Sequence, residues 1–397
     1  MQPVNRSLNK EDNRAGRWCK QMAGSEGFSS FYPAPLPPDP PIRYDAELHD
    51  LQDRANRALG RLDGVSLLLP DPTLFLYTYV RKEAVLSSQI EGTQSSLSDL
   101  LLFENKEVPG VPLVDVQEVS NYVAAMNHGL ERLRQDFPLS LRLIKEIHGI
   151  LMRNTRGGDK TPGEFRRSQN WIGGTRPGNA FYVPPPAEEV IPAIGALEKF
   201  LHNDPIQTSP LTKAGLAHAQ FESIHPFLDG NGRVGRLLIT FILCAEGVLT
   251  QPLLYLSLYF KQHREVYYAA LQRVRTDGDW EGWLRFYFSG VEEVSNKAGE
   301  TAKSLLQMFE QHRSQIEKLG KAAGSALRVH ELLKKRVLLS LPAASEALHL
   351  SFPAVSKAVS HLEKLSLVRE FTGKQRNRLF SYEPFLKVLT EGTENKP

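Results

Sequence analysis

The chain has 397 residues, 41% hydrophobic and 23% charged, a length that implies two or three domains and a composition that excludes global disorder. Its formal net charge of +3 is too small to indicate a nucleic-acid binder by itself, and its two cysteines, Cys19 and Cys244, exclude a disulfide framework or zinc cluster and fit a reducing compartment. The longest apolar runs, 65–69 and 237–245, are too short for a bilayer and the N-terminus lacks an apolar signal core, so a cytoplasmic protein without membrane contact is expected.

Residues 1–44 run polar and then proline-rich, with Pro33, Pro35, Pro37, Pro38, Pro40 and Pro41, which predicts an extended arm. Leu48, Leu51, Ala55, Leu59 and Leu62 recur at three and four residues and predict a helix that Gly64 ends. A second helix is expected from Asp71-Pro72, where Asp caps and Pro suits the first turn, through Ile90 to a stop at Gly92. Residues 45–110 thus form an N-terminal helical region. Helical patterns at Asp115–Phe137 and Ser140–Met152 lead into a glycine- and proline-rich stretch, 157–186. There Asn170–Ile172 and Ala180–Val183 flank Gly-Gly-Thr-Arg-Pro-Gly-Asn as a β-hairpin with a loose tip.

Helices at Leu211–Ile224 and Val234–Ala245 bracket a polar segment, a helical series covers Tyr255–Phe288, and 291–320 reads as a connecting helix. Over 321–397 a first helix is followed by helices at Ala343–Leu348 and Pro353–Leu365. The runs Leu367–Phe371 and Leu379–Tyr382, separated by a turn at Thr372-Gly373-Lys374, complete a winged helix-turn-helix.

The bracketed segment is His225-Pro226-Phe227-Leu228-Asp229-Gly230-Asn231-Gly232-Arg233-Val234-Gly235-Arg236. Gly230 and Gly232 allow backbone N–H groups to converge as an anion nest, and the helix that follows adds its positive end. Arg233 and Arg236, three residues apart, share a helical face and can both reach a chain of phosphates. Asp229 is a hard oxygen ligand beside that anion site, suited to a magnesium that bridges phosphate oxygens. His225 can exchange a proton near neutral pH. Each piece alone is commonplace, but neither burial nor solvation requires all of them in one short segment.

These residues resemble the signature of the Fic (filamentation induced by cAMP) family, His-x-Phe-x-Asp/Glu-Gly-Asn-Gly-Arg-x-x-Arg, and every fixed position is met. The resemblance extends through Ala217–Ile224, Gly163-Glu164-Phe165-Arg166, Trp171-Ile172-Gly173 and Tyr182-Val183-Pro184-Pro185. It implies a mainly α fold: a Fic-type helical bundle with a β-hairpin flap, its catalytic core at 111–290, followed here by a winged-helix domain.

The implied activity is that of a protein adenylyltransferase, which moves AMP from ATP to a Ser, Thr or Tyr hydroxyl of a target protein, and of itself, releasing pyrophosphate. On that resemblance His225 is the general base and Asp229 holds Mg²⁺. Asn231, Gly232 and Arg233 fix the α- and β-phosphates, and Arg236 grips the γ-phosphate. Gly230, Val234 and Gly235 complete the ATP loop. The hairpin would clamp the target by strand addition. The Doc toxin branch has Lys where this chain has Gly232 and transfers phosphate instead; Gly232 and Arg236 favour AMP. His263 stands where related sequences often have Asn.

Ser87-Ser88-Gln89-Ile90-Glu91-Gly92 matches Ser/Thr-x-x-x-Glu-Gly/Asn, the inhibitory pattern of many Fic proteins. A carboxylate at the carbonyl end of a helix needs a nearby cation. Arg236 is that cation on this reading, so Ser87, Glu91 and Gly92 form an inhibitory motif in which Glu91 acts at the ATP site and misaligns the α-phosphorus. The alternative is an ordinary exposed helix edge.

From Lys321 to Pro397 thirteen Lys and Arg stand against seven Asp and Glu, a balance of +6 that leaves −3 for the rest. Val355, Val359 and Leu362 form the inward face of the third helix, with Lys357, Ser360 and Lys364 outward and Arg369, Lys374, Arg376 and Arg378 on the wing. That layout suits DNA, or a docking protein. A DNA-binding regulator with a Fic domain, and Fic-type transfer of another phosphate-containing group, are the alternative functions. A homodimer is a further partner the reading admits.

Overall fold

The computed structural model describes residues 13–24, 26–67, 72–106 and 110–394, and the chain is mainly α. Two compact units divide it: 1–60, 121–250 and 259–293 form the first, and 61–120, 251–258 and 294–397 the second. The expected segments 45–110 and 111–290 are each shared between them, because a compact unit is defined by contacts in space and not by adjacency in the chain. Among the described residues no helix is long and apolar enough to cross a membrane.

In the first unit the expected arm is corrected over 16–33, where β1 (Gly16–Ala23) and β2 (Glu26–Pro33) pair as an antiparallel hairpin. Aromatic anchors outweigh the prolines, which begin only at the last residue of β2. Trp18 and Phe31 pack at 5.0 Å, and both rings lie against Tyr182. Asn13 ties the entry of the hairpin to the main-chain oxygens of Arg275 and Thr276.

The centre of this unit is α7 (Pro210–Ile224) with α8 (Asn231–Ala245). All residues Leu211–Ile224 of α7 are buried, so its polar members need partners inside. Ser223 donates to Ala219 O at 2.8 Å, Gln220 to Ala34 O at 2.7 Å, and Lys213 is paired with Glu246. The helices approach closely at Gly235, where a Cβ would lie 2.6 Å from Glu222 Oε1. Around them stand α5 (Leu141–Leu151), capped by Ser140, then α6 (Ala187–Leu201), α10 (Arg264–Asp277) and the start of α11 (Trp280–Glu317). The connecting helix expected from 291 is therefore the continuation of one helix that begins at Trp280.

The second unit contains α2 (Pro72–Ile90), with Asp71, its expected cap, outside the described residues. Next comes α3 (Leu97–Glu104), which Ser96 and Asp99 close with a reciprocal capping box. Arg81 pairs with Glu104 at 2.8 Å, and Gln89 donates to Ser95 O and Thr393 O. The C-terminal part runs α12 (Ala323–Arg336), β3 (Leu338–Ser340), α13 (Leu341–Leu348), α14 (Phe352–Lys364), β4 (Val368–Glu370), β5 (Leu379–Tyr382) and α15 (Glu383–Thr390). Its sheet is antiparallel in the order β3-β5-β4. The strand β3 and helix α15 have no counterpart in the sequence reading.

Helix α1 (Ala46–Leu67) does not stop at Gly64. A helical glycine costs about 1 kcal/mol, whereas each buried leucine of its stripe returns roughly 1.5–3 kcal/mol, so the stripe wins. A Cβ at Gly64 would meet nothing within 4 Å. Gly64→Ala should therefore stabilise the protein by about 0.5–1 kcal/mol. Denaturant unfolding measures this, and no gain would mean that the helix is not formed there in solution.

Candidate active site

The loop between α7 and α8 is shaped by two left-handed residues. His225 caps α7 with φ 49° and ψ 62°, and Gly230 precedes α8 with φ 74°. Gly230 is required twice over, since a Cβ there would also lie 2.7 Å from Met152 Sδ. The Asn231 side chain closes the turn. Its Oδ1 accepts from Phe227 N–H and its Nδ2 donates to Phe227 O, both at 2.8 Å. The side chain expected at phosphate is thus engaged in shaping the turn. The first intrahelical bond of α8 runs from Val234 N–H to Gly230 O at 3.1 Å, so the amides of Asn231, Gly232 and Arg233 form the first turn and point toward the helix N-terminus.

Arg233 and Arg236 are both buried, at 4% and 3% exposure. They are not the solvated helix face that paired arginines usually make. Arg233 Nη2 lies 3.9 Å from Asp229 Oδ1, which also accepts from Gly230 N–H at 2.7 Å. The other carboxylate oxygen of Asp229 holds Lys160 Nζ at 3.1 Å. A cationic group thus already stands at Oδ2 of the half-exposed Asp229 carboxylate. Among the described residues no group of three or more His, Cys, Asp or Glu could hold a metal. One carboxylate fits Mg²⁺ only where phosphate oxygens and water supply the remaining ligands.

Burial, followed by the neighbouring charges of Arg166 and Arg275, holds the His225 imidazole down to about 3. It is uncharged at neutral pH, titrating well below the near-neutral range the sequence reading expected. Glu222 Oε2 lies 3.9 Å from its Nδ1.

Three residues to which the sequence reading gave no role support the turn. His148 on α5 accepts from Gly163 N–H at Nδ1, 2.8 Å, so its Nε2 carries the proton that is donated to Asp229 O at 3.1 Å. The ring stacks flat on Phe227 at 3.7 Å, and burial lowers its pKa to about 4. His218 must donate from Nδ1 to Gly235 O and accept from Tyr267 at Nε2, both at 2.8 Å. Arg166 donates from its backbone to Pro226 O at 2.9 Å. His218 and Arg166 lie in segments carrying the family resemblance and His148 does not, and only spatial neighbours reveal what each one holds.

The expected hairpin over 170–183 is reduced to a single bridge, Ile172 to Tyr182, with a tight helical turn at Pro177–Asn179 between. Its glycines and prolines break any longer ladder. Asn170 Nδ2 reaches Phe227 O at 3.2 Å, and Tyr182 donates to Ser223 O, so the segment is joined to the turn at Phe227 and to the end of α7. Phe181 at its tip is 84% exposed. His263 caps α10 with its ring against Tyr259.

Ser87, Glu91 and Gly92 belong to the second unit. Ser87 is buried in α2, Glu91 is the exposed residue directly after the last helical position, and Gly92 turns the chain at φ 99°.

Comparison with known proteins places these features in one family. Residues 49–131 match the family model described as Fic/DOC family N-terminal, and 138–243 the one described as Fic/DOC family. A protein adenylyltransferase Fic from Aedes aegypti is 32% identical over 269 residues, covering 60% of this chain and 49% of that protein. One from Drosophila erecta is 30% identical over 211 residues, covering 52% and 39%. The chain thus spans less than half the length of these relatives. The crystal structure of a Fic family protein from Desulfovibrio desulfuricans shares the fold at 20% identity, with a TM-score of 0.56 over 86% of this chain and 97% of that one. With both domain models matched and every fixed position of the signature gathered in the α7–α8 turn and the start of α8, the chain carries the Fic/DOC family N-terminal and Fic/DOC family domains.

Proposed function

We propose that this protein is a Mg²⁺-dependent protein adenylyltransferase, transferring AMP from ATP to a hydroxyl of a target protein or of itself. The observation that carries the reading is the α7–α8 turn with the start of α8, which combines an uncharged His225, the Asp229 carboxylate, the first-turn amides of α8 and two buried arginines. The attacking hydroxyl oxygen bonds to the α-phosphorus, the bond from that phosphorus to the bridging oxygen breaks, and pyrophosphate leaves. His225 takes the hydroxyl proton. Arg233 and the amides of Asn231 and Gly232 offset charge on the α- and β-phosphates, and Arg236 orients the γ-phosphate. Magnesium, held by Asp229 and phosphate oxygens, would neutralise part of the triphosphate charge.

Label from α-labelled but not γ-labelled ATP should enter protein, and His225→Ala should slow this by roughly a hundredfold or more. With the folded pKa depressed, His225 stays unprotonated as the pH falls through the ordinary imidazole value of about 6.5, so the rate should hold there and decline only in stronger acid. Transfer of γ-label, or an unaffected His225→Ala, would overturn the reading.

The proposal includes a restraint, in which the Glu91 carboxylate competes with the γ-phosphate for Arg236. Support comes from the Ser87–Gly92 pattern and from the position of Glu91 at the carbonyl end of α2, where a carboxylate favours a cationic partner. Glu91→Gly should raise the initial rate of AMP incorporation, Arg236→Ala should abolish it, and the double mutant should stay inactive. A double mutant that keeps the gain would show that control does not run through Arg236.

A second reading concerns 321–397 as a winged helix that contacts DNA. It is favoured by the burial of Val355, Val359 and Leu362 on α14 and the exposure of Lys357, Ser360, Lys364, Arg369, Lys374, Arg376 and Arg378. Duplex DNA should bind at low salt with an affinity whose logarithm falls by about 0.9 per contacted phosphate for each tenfold rise in salt. An absence of binding at low salt would leave the module a protein-docking role.

A further inference from the structure

Arg166 is 2% exposed and commits its guanidinium to main-chain oxygens. Nε donates to His225 O at 2.9 Å, Nη1 to Ser168 O at 3.1 Å, and Nη2 to Pro185 O at 2.5 Å and Ile224 O at 3.4 Å. With its own N–H on Pro226 O, one residue holds five carbonyls. Among the described residues, no carboxylate is one of its hydrogen-bond partners. These acceptors fall into two groups. Ile224, His225 and Pro226 are the end of α7 and the start of the catalytic turn, where helix carbonyls lack intrahelical donors. Ser168 and Pro185 are the two roots of the segment that carries the Ile172–Tyr182 bridge.

A cation buried among neutral dipoles is an expensive way to fill space, and an apolar side chain of similar length would close the core as well. Only a rigid planar fork with five donors can bind both groups of carbonyls simultaneously; a lysine ammonium offers three donors from a single point. We infer that Arg166 is a positioning residue that locks the catalytic turn to both roots of the 168–185 segment, so that His225 and the surface beside which a target hydroxyl must lie are held as one body. The inference rests on the adenylyl-transfer reading for the role of His225.

The same guanidinium faces the imidazole electrostatically. The groups around His225 are Arg166 and Arg275, which oppose its protonation in addition to burial, and Glu222 and Asp229, which favour it. Removing the Arg166 charge should therefore move the His225 titration upward, whereas removing only the fork should not.

The test compares wild type with Arg166→Lys and Arg166→Gln, with His225 assigned in the NMR spectrum through a His225→Asn control. Arg166→Gln should raise the His225 pKa by about one unit. Arg166→Lys should leave that titration in place, lower kcat by about tenfold or more with KM for ATP unchanged, and speed protease cleavage within 168–185. A wild-type kcat and cleavage rate in Arg166→Lys would overturn the inference, as would an unmoved His225 titration in folded Arg166→Gln. Should Arg166→Gln fail to fold, Arg166→Lys decides alone. If wild type incorporates no label, the adenylyl-transfer reading falls, while the titration and protease arms still judge whether Arg166 couples the two segments.

Discussion

The bond pair between the Asn231 amide and the backbone of Phe227 is the constraint from which the site follows. It closes the turn over four residues and fixes where Asp229 and Gly230 can lie between its ends. The left-handed residues His225 and Gly230 stand on either side of Phe227, the residue it holds. An asparagine can do this because its amide offers a donor and an acceptor about as far apart as the N–H and C=O of one residue. The residue that the family resemblance assigned to phosphate therefore spends its side chain on shape.

The site is also dry where its arginines sit. Arg166, Arg233, Arg236 and Arg275 are all at most 5% exposed, and His148, His218 and His225 are held well below the ordinary imidazole range by burial. In the adenylyl-transfer reading proposed above, permanent cations suit an anionic substrate. The cations supply the field, and histidines that stay uncharged leave a base free to accept a proton. Hydrogen bonds settle the tautomers of His148 and His218, so His148 is a fixed strut between two backbone segments and His218 one between the α8 backbone and the Tyr267 hydroxyl.

The N-terminal hairpin contributes to the same body. Phe31 N–H donates to Val183 O at 2.9 Å, and Arg176 at the tip of the 170–183 segment pairs with Glu26 at 2.6 Å. A segment with one bridge of its own is thus supported by a neighbouring two-stranded ribbon, which explains how a loop rich in glycine and proline keeps a defined course beside the turn.

The sequence by itself determined the helical character of the chain, the family, and the dense signature from His225 to Arg236, because periodicity and the chemistry of a short contiguous segment are both local properties. Helix ends at Ile90, Ile224 and Leu348, and the strand at Leu379–Tyr382, were legible for the same reason. Tertiary structure decided the rest. It turned the proline-led arm into a hairpin, since Trp18 and Phe31 find Tyr182 only in space. It carried α1 past Gly64, since buried leucines outweigh a local propensity. It joined Arg166 to carbonyls about sixty residues away in sequence at His225, a pairing no spacing rule encodes. Local chemistry is written in order along the chain, whereas burial, protonation state and the partners of a long side chain depend on which distant segments pack around it.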